Sequence, residues 1–262
     1  MTARPAIDQR TLLARPDLAD QALEGVVRAS AFRTVRPMHG TVAVADIHSE
    51  ADAGSERIDQ LLSGEAFDVL DQRGDYVWGR ARRDGTVGWI AIASLGQGVP
   101  HPTHRIASVT GTLPLNALVT SDHTTADLAP IGSFETDPVT VAERLLGVPH
   151  SLGARSSVAT DCSGLVQQGL YACGRAGPRH SDEQAEMGQP IERADIRRGD
   201  IVVWLNANSG HSWTGHSALV HGPDTVIHAT GHHGCVVIES LAEAEARYAA
   251  DGFAAPVFRR LP

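Results

Sequence analysis

The chain has 262 residues, 42 % of them hydrophobic and 20 % charged, with a formal net charge of −9 and a pI near 5.8. That length supports one large domain or two smaller ones, and an acidic chain without a lysine- or arginine-rich block lacks the electrostatic footprint of a nucleic-acid binder. No window reaches the roughly 18 apolar residues of a membrane helix, the N-terminus carries no apolar core of a secretory signal, and three widely spaced cysteines make neither a disulfide framework nor a standard zinc site. The expectation is a cytoplasmic protein with no membrane partner, no metal and no cofactor.

Residues 9–30 place Leu12, Leu13, Leu18, Ala22, Leu23, Val26 and Val27 at roughly helical spacing, which predicts a short helix or a wrapping arm over 1–32. From 33 to 98 the pattern changes to short strands. FDVLD, YVWGRAR and VGWIAI are separated by RGD and RDG, which are tight-turn signals, and together they predict a small barrel or sandwich. Trp78 and Trp89 alternate with polar residues there, as fillers of a small barrel or as lining of a peptide groove. Residues 99–137 read as a linker or a truncated second β segment, too short for a barrel of its own. From 138 onward, PVTVAERLLG predicts a helix with Pro138 in its first turn, and CSGLVQQGLYACG a buried helix capped by Gly174. The runs IVVW, SALVHG, DTVIHAT, CVVIES and PVFRR then follow as strands. Helices followed by consecutive strands describe an α+β domain with an antiparallel sheet over 138–262.

Chemistry concentrates at Asp161-Cys162-Ser163-Gly164, where a helix begins. A cysteine in a first turn faces unpaired backbone N–H groups and the positive end of the helix dipole, and both favour thiolate. The plainer reading is a buried small hydrophobe. A nucleophilic thiol needs a base, and the base an orienting partner. His216 opens the strand HSALVHG and His228 lies in VIHA, twelve residues on; a tight Gly-Pro-Asp turn sets the two strands side by side. His211 stands at similar spacing in an Asn/Ser/Gly-rich loop, where nothing fixes its geometry. Cys173 and Cys235 read as core residues, and the pair His232 and His233 is a weak metal signal.

The motifs DCSGLV, RRGDIVVW, GHSALV and VIHA, in that order, resemble the NlpC-type cysteine peptidases over about 138–262. The resemblance implies a papain-like α+β catalytic domain, with Cys162 as nucleophile, His216 as general base and His228 as the orienting residue. It also gives the backbone N–H of Cys162 a part in the oxyanion hole. The stretch SERIDQLLSGEAFDVLD…DYVWGRARRDGTVGWI is similar to the bacterial SH3-like domains that precede this domain in a cytoplasmic subgroup. That subgroup cleaves γ-D-glutamyl-diamino acid bonds in recycled cell-wall peptides with a free N-terminal L-Ala, so a cell-wall-derived peptide is the implied partner. Asp161 and Ser163 would hold the amine, a charge that offsets a buried carboxylate. Oligomeric state is not legible.

Three positions depart from the pattern. His150 and Leu152 stand where relatives carry a tyrosine and a tryptophan, and Thr86 where a tyrosine often closes over the substrate. An imidazole N–H still donates a hydrogen bond; loss of an oxyanion donor outright costs about 3–4 kcal/mol. These departures motivate one alternative, a catalytically impaired peptide-binding or regulatory module; an amidase or acyl transferase on the same fold, with the same chemistry and another acceptor, is a second.

Overall fold

The computed structural model describes residues 8–121, 127–206 and 215–262. The first described segment is an arm. Two short strands, β1 (Ala19–Asp20) and β2 (Phe32–Arg33), pair in parallel, and a single 3-10 turn spans Gln21–Leu23. Of the two forms expected over 9–30, a short helix or a wrapping arm, the chain takes the arm. Pro16 lacks the N–H such a helix needs and disfavours helical geometry at Arg15, and the apolar side chains serve another purpose. Leu13 and Leu18 are buried with Leu70, Trp78 and Trp89 on the outer face of the next domain. Trp78 and Trp89 face each other across adjacent strands, under the Arg15 guanidinium, so they anchor the arm rather than line a groove.

Seven strands follow, β3 (Arg36–Gly40), β4 (Val44–His48), β5 (Arg57–Leu62), β6 (Ala66–Arg73), β7 (Tyr76–Ala81), β8 (Val87–Ala91) and β9 (Leu95–Gln97). They form one antiparallel sheet in the order β5-β4-β8-β7-β6-β3-β9. Leu61 from one edge and Leu95 from the other pack into the same cluster around Phe67, Val77 and Ile90, so the sheet curls around a single core as an SH3-like unit does. Next come β10 (His104–Ile106), β11 (Leu118–Val119) and β12 (Leu128–Pro130), a three-stranded antiparallel sheet.

Helix α1 (Pro138–Glu143) starts at an Asp137 cap with Pro138 in its first turn, and α2 (Cys162–Ala172) ends before Gly174 at φ +70°. The short α3 (Ser181–Gln184) leads to β13 (Gln189–Ile191), β14 (Ile201–Leu205), β15 (Gly215–Gly222), β16 (Thr225–Thr230) and β17 (Cys235–Ser240). Helix α4 (Leu241–Ala250) and β18 (Val257–Arg260) complete the chain. The second large sheet is antiparallel, in the order β13-β18-β14-β15-β16-β17. Alternation sorts its side chains: Ile201, Val203, Leu219 and Ile227 pack against α1 and α2, while Val202, Trp204, Ala218 and Val220 pack against α4. Helix α2 thus brings its first residue to one face of the sheet, beside the start of β15.

Candidate active site

The start of α2 is fixed before any substrate arrives. Asp161 is the N-cap, its carboxylate accepting from Gly164 N–H at 2.8 Å and from Gly153 N–H at 2.9 Å. Gly153 sits at φ +74°, and a Cβ there would lie 2.1 Å from the Arg57 carbonyl, so only glycine lets this loop approach the SH3-like unit. Arg179 donates to Asp161 at 2.6 and 3.1 Å and to Ser163 Oγ at 2.8 Å. Its Nε lies 2.8 Å from Asp59 of β5. Burial alone would raise the Asp161 carboxyl, but Arg179 and the two backbone donors outweigh it and hold the group below the usual carboxylate range. The cation that offsets Asp161 is therefore the chain's own. Asp161 and Ser163, which the resemblance assigns to a substrate amine, are both bonded to Arg179 at the helix start and both line the cleft.

Cys162 opens into a cleft of about 530 Å³ whose lining includes His150, Asp161, Ser163, Ser181, His216 and Tyr248. The thiol lies 3.8 Å from Ser181 Oγ. Burial and then the Asp161 carboxylate push the thiol up, against the Ser217 backbone N–H, the Ser181 hydroxyl and Arg179. Desolvation thus opposes the thiolate that the helix start favours. His216 is held well below its ordinary value, first by burial and then by His228, His150 and Arg247. Both directions favour the neutral thiol and the neutral imidazole.

The histidine pair has a determined proton arrangement. Glu239 Oε1 lies 2.6 Å from His228 Nε2, and two bare acceptors would not sit so close, so Nε2 carries the proton. His228 Nδ1 is then an acceptor, and His216 Nε2–H donates to it at 2.8 Å. The remaining nitrogen of His216, Nδ1, keeps its lone pair. The rings of His216 and Tyr248 stack with centroids 4.4 Å apart, and Trp204 lies 6.0 Å away, so packing fixes the imidazole plane. His228 is wholly buried behind His216 and does not line the cleft.

Other expected positions are placed as follows. His150 is half-buried on the cleft wall, held by its backbone N–H to Gly234 O at 2.9 Å, and burial lowers its basicity. Leu152 stands on the rim, 58 % exposed. Thr86 belongs to the SH3-like wall of the same cleft. It is buried, with its hydroxyl unpartnered among the described residues and its backbone N–H donating to Asp84 at 3.0 Å. His211 falls outside the described residues. Cys173 caps the end of α2 and Cys235 begins β17; both are partly exposed rather than core residues. His232 and His233 touch edge to face, and His233 Nε2 lies 3.3 Å from Glu239.

Sequence reasoning did not find Arg179, Ser181, Glu239 or Tyr248. Ser181 and Arg179 lie in PRHSDEQ, an N-cap-like run before a short helix, which was a visible signal. Glu239 and Tyr248 reach the site through pairing of β16 with β17 and packing of α4, and nothing local announces that.

A cysteine at a helix start, set against a histidine pair on adjacent strands of an antiparallel sheet, is the architecture of the papain-like class. Within that class, residues 147–252 match the NlpC/P60 family and residues 47–95 the bacterial dipeptidyl-peptidase SH3 domain, so the chain carries an NlpC/P60 domain preceded by a bacterial SH3 domain. It is 35 % identical over 108 residues to a probable endopeptidase of Corynebacterium glutamicum, covering 41 % of this chain and 49 % of that one. It is 34 % identical over 98 residues to the murein DD-endopeptidase MepS/murein LD-carboxypeptidase of Escherichia coli K12, covering 37 % and 50 %. The chain thus spans about half the length of the curated relatives it matches. An NlpC/P60 family protein from Bacillus cereus superposes with a TM-score of 0.72 at 17 % identity, covering 86 % of this chain and all of that one, which establishes likeness of fold.

Proposed function

We propose that the chain is a cysteine peptidase of cell-wall peptides that hydrolyses γ-D-glutamyl-diamino acid bonds in murein-derived substrates. The observation that carries this reading is the relay Glu239–His228–His216, which leaves His216 Nδ1 as a free base in the same cleft as Cys162. His216 takes the thiol proton as sulfur attacks the scissile carbonyl, so the ion pair forms during the attack. The Cys162 backbone N–H, at the helix start, donates to the developing oxyanion. His216 then returns the proton to the leaving amine, and water hydrolyses the thioester. The endopeptidase names of the relatives and the bacterial SH3 domain support a cell-wall peptide as substrate.

The test is hydrolysis of L-Ala-γ-D-Glu-diaminopimelate by three single variants. Cys162→Ala is expected to abolish turnover, while Cys173→Ala and Cys235→Ala, which are outside the relay and the cleft lining, retain it. Turnover surviving in Cys162→Ala removes the assignment.

A further inference from the structure

Glu239 and Arg247 flank the histidine pair from β17 and α4. The Glu239 side chain is 8 % exposed, with Oε1 at 2.6 Å from His228 Nε2. Arg247 donates from Nη1 to Glu239 Oε2 at 3.0 Å and contacts Oε1 through Nη2. From the cleft that holds Cys162, therefore, His216, His228, Glu239 and Arg247 lead in order to a carboxylate and then to a cation. We infer that Glu239 and Arg247 are opposed positioning residues that set the basicity of His216 through His228, the carboxylate favouring the imidazolium and the guanidinium limiting it.

The inference rests on the proposed roles of Cys162 and His216. When the S–H bond breaks and an N–H bond forms at His216 Nδ1, positive charge develops one hydrogen bond from His228. His228 keeps its own proton, and the Glu239 charge stabilises the new imidazolium in a low-dielectric setting. Too strong a pull would leave the proton on His216 when the departing amine needs it, and Arg247 counters that. Despite burial, His228, Arg247 and His233 hold the Glu239 carboxyl well below its usual range, so the charge is present throughout the working pH range. The other groups around this line are His233 on Glu239 Oε2, His150 and Asp161 on the cleft side, and Tyr248, stacked on His216 with its hydroxyl neutral up to about 12 because of burial.

The experiment reads Cys162 alkylation by iodoacetamide between pH 6 and 8 in a chain whose Cys173 and Cys235 are replaced by serine. In that range the rate reports the fraction of intramolecular ion pair. Glu239→Gln is expected to slow alkylation about fivefold or more and Arg247→Gln to speed it by a similar factor, the size of one removed charge at this range. Glu239→Asp should restore part of the rate. A purely structural role for the β17–α4 contact moves both variants in the same direction, and that result, or no change in either, overturns the inference. Should Glu239→Gln fail to fold, the acceleration in Arg247→Gln still decides the sign. The underlying reading fails separately: His216→Ala alkylating like the parent chain removes His216 as the base, and opposed shifts without any murein-peptide hydrolysis leave the charge pair standing while refuting the substrate.

Discussion

Asp161 immediately precedes the nucleophile, yet both its oxygens are occupied by Gly153, Gly164 and Arg179. A carboxylate neutralised by its own guanidinium gains little from a substrate amine, because the desolvation of that charge is already offset. Asp161→Asn therefore acts on the helix start, not on recognition. It leaves Arg179 a buried cation with a weaker partner, and loss of one member of such a pair costs about 3–5 kcal/mol. The expected outcome is a loss of stability and a fall in kcat/KM that is equal, within about twofold, for free-amino and N-acetylated forms of one peptide, since half a kcal/mol of coupling is about that factor. Matched assays on the two peptides check it; a fall confined to the free-amino form returns Asp161 to the amine.

At the scale of elements, what was legible depended on how local the determining contacts are. Helix α2 was legible because its cap Asp161, its buried run and Gly174 lie within the segment itself. Helix α4 carries comparable signals, a Ser240 cap accepting from Glu243 N–H and an alanine-rich body, but it lies between two strands of one sheet, where the strand pattern masks it. Its consequence, Tyr248 stacked on His216, is tertiary and has no local signature. The arm misled for the reverse reason. Its leucines recur at helical spacing, but Pro16 interrupts the backbone and Leu13 is buried against Trp78 and Trp89 instead. The arm also clasps the catalytic half, Arg10 donating to Asp182 beside Ser181 at 2.7 and 3.0 Å while Val87 N–H donates to Arg10 O at 2.8 Å. Leu13→Ala should therefore lower stability by about 2–5 kcal/mol, as a fully buried leucine does. Urea unfolding measures it, and a change below about 0.5 kcal/mol, the surface-substitution range, would mean that the arm is not packed there.

At the scale of the whole molecule, the SH3-like and catalytic halves meet through buried charge. Asp59, Glu65 and Asp84 on one side and Asp161 on the other surround Arg155 and Arg179, with Arg83 reaching Glu65 at 3.0 Å. Arg155 Nε lies 3.1 Å from Asp59 and 3.5 Å from Asp84. Four carboxyls thus face three guanidiniums, and one proton brings the charges level. Asp59 is its site: burial, then the neighbouring Asp84, push that carboxyl up to about 8 against Arg155 and Arg179, and its Oδ2 meets no donor among the described residues. A proton on that oxygen is free to bond Asp84, whose own carboxyl is held low by Arg155. A carboxyl raised in the folded state binds a proton there that the unfolded chain releases near pH 4, so its contribution to stability is lost as pH rises from about 4 to about 8. Asn at position 59 keeps the shape, offers a fixed N–H to Asp84 and does not titrate. Asp59→Asn should remove a slope of up to about 1 kcal/mol per pH unit from the stability curve and leave the variant the more stable of the two at pH 8. His180, which burial and Arg179 hold neutral down to about pH 4, contributes the opposite slope to both proteins and cancels in the difference. Urea midpoints of the two chains between pH 5 and 8 decide the point. Parallel curves would mean that Asp59 binds no proton over this range and is ionised where the two halves meet.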